Sequence, residues 1–208
     1  VKQPKVLLLD EPLAALDKKL REQTQFELMN LQSELNMTFI VVTHDQEEAM
    51  TLSSRIALMN KGEFIQIGSP SQIYETPTNR YTADFFGSIN FFDGEIISQD
   101  QKTKKTIAKL QSCNSLIYGQ SNQQFDTKDA VIIGVRPEKI AINVKKPLDN
   151  EVSVIEGKIE GLAYYGDRNL YRVRTEKHGI ILASSQNFER SEFCLLYTSP
   201  SPRDIVGS

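Results

Sequence analysis

Val6-Leu7-Leu8-Leu9-Asp10-Glu11-Pro12-Leu13-Ala14-Ala15-Leu16-Asp17 is the stretch on which the fold turns. Four aliphatics in succession suit a strand buried on both faces of a parallel sheet. Two acids follow at its C-terminal edge, where open α/β sheets place their ligands. There one carboxylate can hold a Mg²⁺ that bridges nucleotide phosphates, and the next can polarise an attacking water. A solvated acidic turn closing a strand would leave the same letters, so the surroundings must decide.

Outward from this stretch, Leu20, Thr24, Leu28, Leu31 and Leu35 recur at helical spacing and predict a helix from Lys18 to about Asn36 with a mostly apolar stripe. Phe39–Thr43 is a second strand of the buried type. Asp45, with Glu48 three residues on, predicts a capping box opening a helix through about Ser53. Arg55–Met59 and Phe64–Ile67 flank Lys61-Gly62, a hairpin signal. Strand–helix–strand alternation implies parallel pairing with right-handed crossovers.

After about Gly87 the texture changes. Phe92–Ile97, Ala130–Val135, Ile155–Glu160 and Leu170–Arg174 are short, rich in β-branched residues and separated by Gly, Asn, Asp or Pro. They predict a small antiparallel barrel or sandwich independent of the first region. The end, with Pro200 and Pro202 close together, cannot continue a sheet. Residues 191–208 are expected to be a non-native or disordered tail, and Cys194–Ser208 looks like translated vector sequence.

The formal net charge of -3 argues against a broad basic surface for nucleic acid. Cys113 and Cys194 form no metal-type pair, which points to a reducing compartment. No apolar run approaches the roughly 20 residues needed to span a bilayer. A role at a membrane is therefore expected to run from the cytoplasmic side through an embedded partner.

Asp10-Glu11-Pro12-Leu13-Ala14-Ala15-Leu16-Asp17 resembles the Walker B and D-loop segment of ABC ATPases, with Leu13 in place of the usual Ser or Thr. Val42-Thr43-His44-Asp45 resembles the family's H-loop, and Gln46-Glu47-Glu48-Ala49 continues as importer ATPases do. The resemblance implies ATP and Mg²⁺ as cofactors. Asp10 would hold Mg²⁺ through water, Glu11 would be the general base, and His44 would bond the γ-phosphate. Leu13, Ala14, Ala15, Leu16 and Asp17 would face a second ATPase subunit in a homodimer. His178, beside Gly179, is read as a plain surface histidine. The sequence contains no G-x-x-x-x-G-K-[ST] loop and no Leu-Ser-Gly-Gly-Gln signature. In the family both precede the Walker B strand, so the chain is expected to be truncated at its N-terminus and inactive toward ATP by itself.

Gly68–Pro77, Tyr81–Ser88, Val135-Arg136-Pro137-Glu138-Lys139-Ile140 and Gly157–Val173 resemble importer ATPases that carry a C-terminal OB-type (TOBE) region. The implied fold class is α/β. Residues 1–87 would be the C-terminal half of a RecA-like ABC ATPase domain, and 88–190 an all-β OB-fold. Asn90-Phe91-Phe92-Asp93-Gly94 after Asp84-Phe85-Phe86-Gly87 is most similar to spermidine/putrescine import ATPases; sugar, iron and sulfate importers are the alternatives. Implied partners are two transmembrane permease subunits and an extracytoplasmic binding protein, at the cytoplasmic face of a prokaryotic inner membrane. Three competing readings are weaker. A DNA-repair ABC ATPase would carry coiled-coil heptads between Asp17 and His44, and none occur. A nucleic-acid OB protein would use Lys102, Lys104, Lys105, Lys109, Tyr164 and Tyr165, against the acidic balance. A non-catalytic regulator would have no need of Glu11 and His44.

Overall fold

The computed structural model describes residues 4–112, 115–121, 123–143 and 153–187. The tail over 191–208, with Cys194, and the lone Cys113 lie outside them. The chain divides into two compact units, Val1–Gly87 and Ser88–Ser208.

In the first unit, local side-chain chemistry sets the helix ends. Asp17 caps α1 (Lys18–Leu35) by accepting from the Leu20 N–H at 3.0 Å. Asn36 ends the helix in the left-handed conformation, at φ 48°. The helix joins β1 (Val6–Asp10) to β2 (Thr38–Val42), which pair in parallel with Val6 opposite Thr38 and Asp10 opposite Val42. Asp45 caps α2 (Gln46–Leu52) and accepts from both Glu47 and Glu48 N–H groups.

The expected burial of β1 on both faces does not hold. Leu8 is 71% exposed, and Ile40 and Val42 are exposed beside it. A strand covered on both faces needs a layer on each side. Here β1 and β2 form a two-stranded sheet, and in each strand exposed and half-buried residues alternate, beginning and ending exposed. The α1 stripe behaves likewise: Thr24 and Leu28 are half-buried, whereas Leu20, Leu31 and Leu35 are exposed. Periodicity marks the apolar face but does not say whether anything covers it.

β3 (Ile56–Asn60) and β4 (Glu63–Gly68) make an antiparallel hairpin. Lys61 and Gly62 at its tip both have positive φ, 51° and 83°, as a tight primed turn demands. Ser69 and Gln72 form a full capping box on α3 (Pro70–Glu75), and Asn79 caps α4 (Arg80–Phe85). Ile56, Leu58, Ile73 and Phe86 are the buried core, with Ala49, Met50 and Ile65 packed against it. α2, the hairpin and α3–α4 thus share one apolar centre.

The described residues of the second unit form strands, with one 3₁₀ turn among them at Pro137–Lys139. β5 (Asn90–Gln99), β6 (Lys105–Leu110), β7 (Leu116–Gln120) and β8 (Ala130–Val135) form an antiparallel sheet in the order β7-β6-β5-β8. β9 (Lys158–Tyr164), β10 (Arg168–Thr175) and β11 (Gly179–Gln186) form a second, ordered β11-β10-β9. The strand expected at Ile155–Glu160 therefore begins at Lys158 and runs to Tyr164. Ile155 instead packs against the core of Phe92, Leu110 and Ile181.

Candidate functional site

Asp10 is the last residue of β1, exposed on the same face as Leu8. The strand then turns abruptly. Glu11 stands at φ 46°, a left-handed conformation costing a residue with a side chain about 1–2 kcal/mol. Its N–H still donates to the Val42 carbonyl at 2.8 Å, so the turn stays tied to the end of β2. That tie brings the Glu11 carboxylate to the segment leaving β2. His44 Nδ1–H donates to Glu11 Oε1 at 2.9 Å.

Both partners face solvent, with side chains 77% exposed for His44 and 49% for Glu11. The His44 pKa is raised above its ordinary value, first by this hydrogen bond and then by the Glu11 charge; Asp45 and Glu48 add smaller contributions. A protonated imidazole donates from both nitrogens. With Nδ1 committed to Glu11, Nε2–H is turned into a donor suited to an anion. Glu11 and His44 are thereby coupled: the carboxylate that can orient a water also sets the proton inventory of its neighbour.

The loop from Glu11 to Asp17 is held by its own backbone and by one deep anchor. Ala14 N–H donates to the Glu11 carbonyl at 3.3 Å, and Leu16 N–H to the Leu13 carbonyl at 3.1 Å. Leu13 is 1% exposed. An aliphatic residue here gains by burial what a Ser or Thr would lose, which accounts physically for Leu13 at that position. Ala14 and Ala15 are exposed, Leu16 is half-buried, and Asp17 is spent as the α1 cap.

Two residues of the site were not legible beforehand. Glu48 does not complete the expected capping box. It is 2% exposed, and its Oε2 accepts from the Thr43 hydroxyl at 2.7 Å. The same Thr43 Oγ1 accepts from the Asp45 N–H at 3.0 Å. A carboxylate so buried seeks the nearest internal donor ahead of a solvated cap. Arg21 is the second: its guanidinium reaches both Leu16 and Asp45. Helical side chains lean toward the helix N-terminus, so an Arg one turn past a loop points back over it. That was the available signal.

His178 is not a plain surface histidine. Its ring packs edge-on against Phe92, with centroids 5.3 Å apart, and its Nδ1 shares a 2.8 Å hydrogen bond with Ser112. Burial, and then the Lys177 charge, lower its pKa. Lys105 and Lys109 lie on β6, whereas Tyr164 ends β9 and Tyr165 follows it under the Arg168 guanidinium. Lys105 and Lys109 thus belong to one sheet and Tyr164 to the other.

The Asp10 carboxylate, at the end of the β1–β2 ladder, offers a hard oxygen donor on the exposed face of β1. Among the described residues no group of three or more His, Cys, Asp or Glu could hold a metal. A single carboxylate fits Mg²⁺, which keeps several waters and takes its other ligands from substrate phosphates. No described helix is long and apolar enough to cross a membrane.

Residues 133–195 match the TOBE domain family. The chain is 41% identical over 189 residues to the putrescine transport ATP-binding protein PotG of Escherichia coli K12, covering 91% of this chain and 49% of that protein. It is 42% identical to the spermidine/putrescine import ATP-binding protein PotA of Thermobifida fusca, covering 90% and 47%. To PotA of Protochlamydia amoebophila it is 40% identical, covering 99% and 54%. It spans about half the length of these curated relatives. Over that half, the chain is similar to proteins named as polyamine transport or import ATP-binding proteins, and the TOBE match lies within its second unit.

Proposed function

We propose that this chain supplies the catalytic carboxylate and switch histidine of an ATP-hydrolysing subunit that powers polyamine uptake through an ABC importer. The 2.9 Å bond between Glu11 and His44, at the joined ends of two parallel strands, carries the proposal. Glu11 orients the attacking water and draws its proton; only one carboxylate oxygen is engaged by His44. Protonated His44 donates from Nε2 to the γ-phosphate as negative charge builds there. Asp10 would hold Mg²⁺, which when bound would supply positive charge against the phosphates. These 208 residues contain no G-x-x-x-x-G-K-[ST] loop, so the proposal assigns them the hydrolytic groups and not the phosphate cradle.

The working assembly in this proposal is a homodimer with two transmembrane permease subunits, fed by an extracytoplasmic binding protein. The ATPase sits on the cytoplasmic face of the membrane. Loop residues 13–17 face the second ATPase subunit. The substrate class rests on the names of the relatives, spermidine and putrescine.

The test is ATP hydrolysis by the complete gene product. Glu11→Gln should cut turnover by about 10²-fold or more while nucleotide binding survives, as for loss of a general base. Turnover within a factor of a few of the parent would refute the assignment. Uptake of labelled spermidine and putrescine, with maltose and sulfate as controls, tests the cargo.

A further inference from the structure

Arg21 takes no part in the chemistry assigned above, yet it spans the two segments that carry it. Nη2 donates to the Leu16 carbonyl at 3.0 Å, at the end of the loop that begins with Glu11. Nη1 donates to Asp45 Oδ2 at 3.1 Å, on the residue next to His44. The other Asp45 oxygen, Oδ1, accepts from the Glu47 and Glu48 N–H groups, and the Asp45 N–H donates to Thr43. Every hydrogen-bonding group that Asp45 offers at this junction is therefore in use. On the other side, Leu13 is buried and Ala14 is bonded to the Glu11 carbonyl, so the loop reaching Arg21 is short and stiff.

We infer that Arg21 is a positioning residue, which clamps the Glu11–Asp17 loop to the Thr43–Glu48 segment and so holds Glu11 and His44 at bonding distance. The inference rests on the proposal that these two groups act on one phosphate. The guanidinium is suited to the task because its planar fork projects two donors in fixed directions. A lysine keeps the charge but can satisfy only one of the two acceptors in this geometry. Arg21 and Asp45 are also partly shielded, with side chains 31% and 28% exposed. An ordinary surface ion pair would contribute little, and its loss would act on His44 through charge alone.

The sign of one measurement separates these cases. The His44 titration is followed by NMR of the imidazole nitrogens in the 208-residue chain. Removing a nearby cation raises a histidine pKa by charge alone, whereas releasing the clamp breaks the Glu11 bond and lowers it. Arg21→Ala should shift the His44 midpoint down toward the ordinary 6.5. Arg21→Lys, which preserves charge and guards against a folding failure, should also shift it down. In the complete ATPase, Arg21→Lys should lower kcat at least tenfold with the KM for ATP within twofold. A His44 midpoint that rises or stays put in both variants overturns the clamp. That result is independent of the ATPase proposal, which the turnover of Glu11→Gln decides.

Discussion

Glu11 and His44, 33 residues apart in the chain, are joined by a single hydrogen bond that decides which protons the imidazole carries. Glu11 makes it from a left-handed backbone at φ 46°, a conformation that is strained for a residue with a side chain.

Removing the acceptor's charge should therefore be visible in the histidine. Glu11→Gln is expected to bring the His44 titration down to about the ordinary 6.5, measured by imidazole NMR. The folded-state value lies above the unfolded one, so the pair's contribution to stability is complete below about 6.5. It disappears as pH rises through the raised value. The difference in urea midpoint between parent and variant should thus shrink from pH 6 to pH 9. A gap that widens over that range contradicts the pairing.

Thr43→Val should destabilise the first unit by about 1–3 kcal/mol, because it leaves the buried Glu48 carboxylate without the hydroxyl that it uses. Adding Glu48→Leu to the same chain should recover part of the loss, since it removes the stranded carboxylate but leaves the Asp45 N–H without its Thr43 acceptor. Denaturant unfolding of the two variants settles it; a double variant no better than the single would refute the account.

In the second unit, Asn90 pins β5 to β11. Its side-chain amide donates to the Leu182 carbonyl at 2.8 Å and to the Val135 carbonyl at 3.1 Å, and accepts from the Leu182 N–H at 2.8 Å. Asn90→Ala strands three backbone groups and should cost on the order of 2–4 kcal/mol. Hydrogen exchange should show the Leu182 amide losing protection first.

His178 gives the second unit an acid sensitivity of the opposite sense to His44. Its folded-state pKa lies below 6.5, so the folded chain resists a proton that the unfolded chain takes up. Stability should fall as pH drops from about 6.5 through the depressed value, and be untouched above it. His178→Gln should flatten that part of the thermal-unfolding profile between pH 7.5 and pH 5. An unchanged profile would mean that the ring is not held against Phe92.

What the sequence determined by itself was local. Asp17, Asp45, Ser69 and Asn79 cap their helices through bonds to residues two or three positions on. Lys61-Gly62 turns the hairpin because two positive φ angles favour a glycine there. The aliphatic runs likewise marked the strands that end at Asp10 and just before His44, because continuous branched residues suit a strand. Tertiary structure alone decided the rest. That Glu11 meets His44, that Arg21 bridges two loops, and that Glu48 turns to Thr43 depend on the path of the chain. Nor could apolar patterning tell that Leu8 and Ile40 stay exposed. Short-range hydrogen bonds are fixed by a few torsions, whereas burial and long-range pairing depend on which surfaces arrive beside one another.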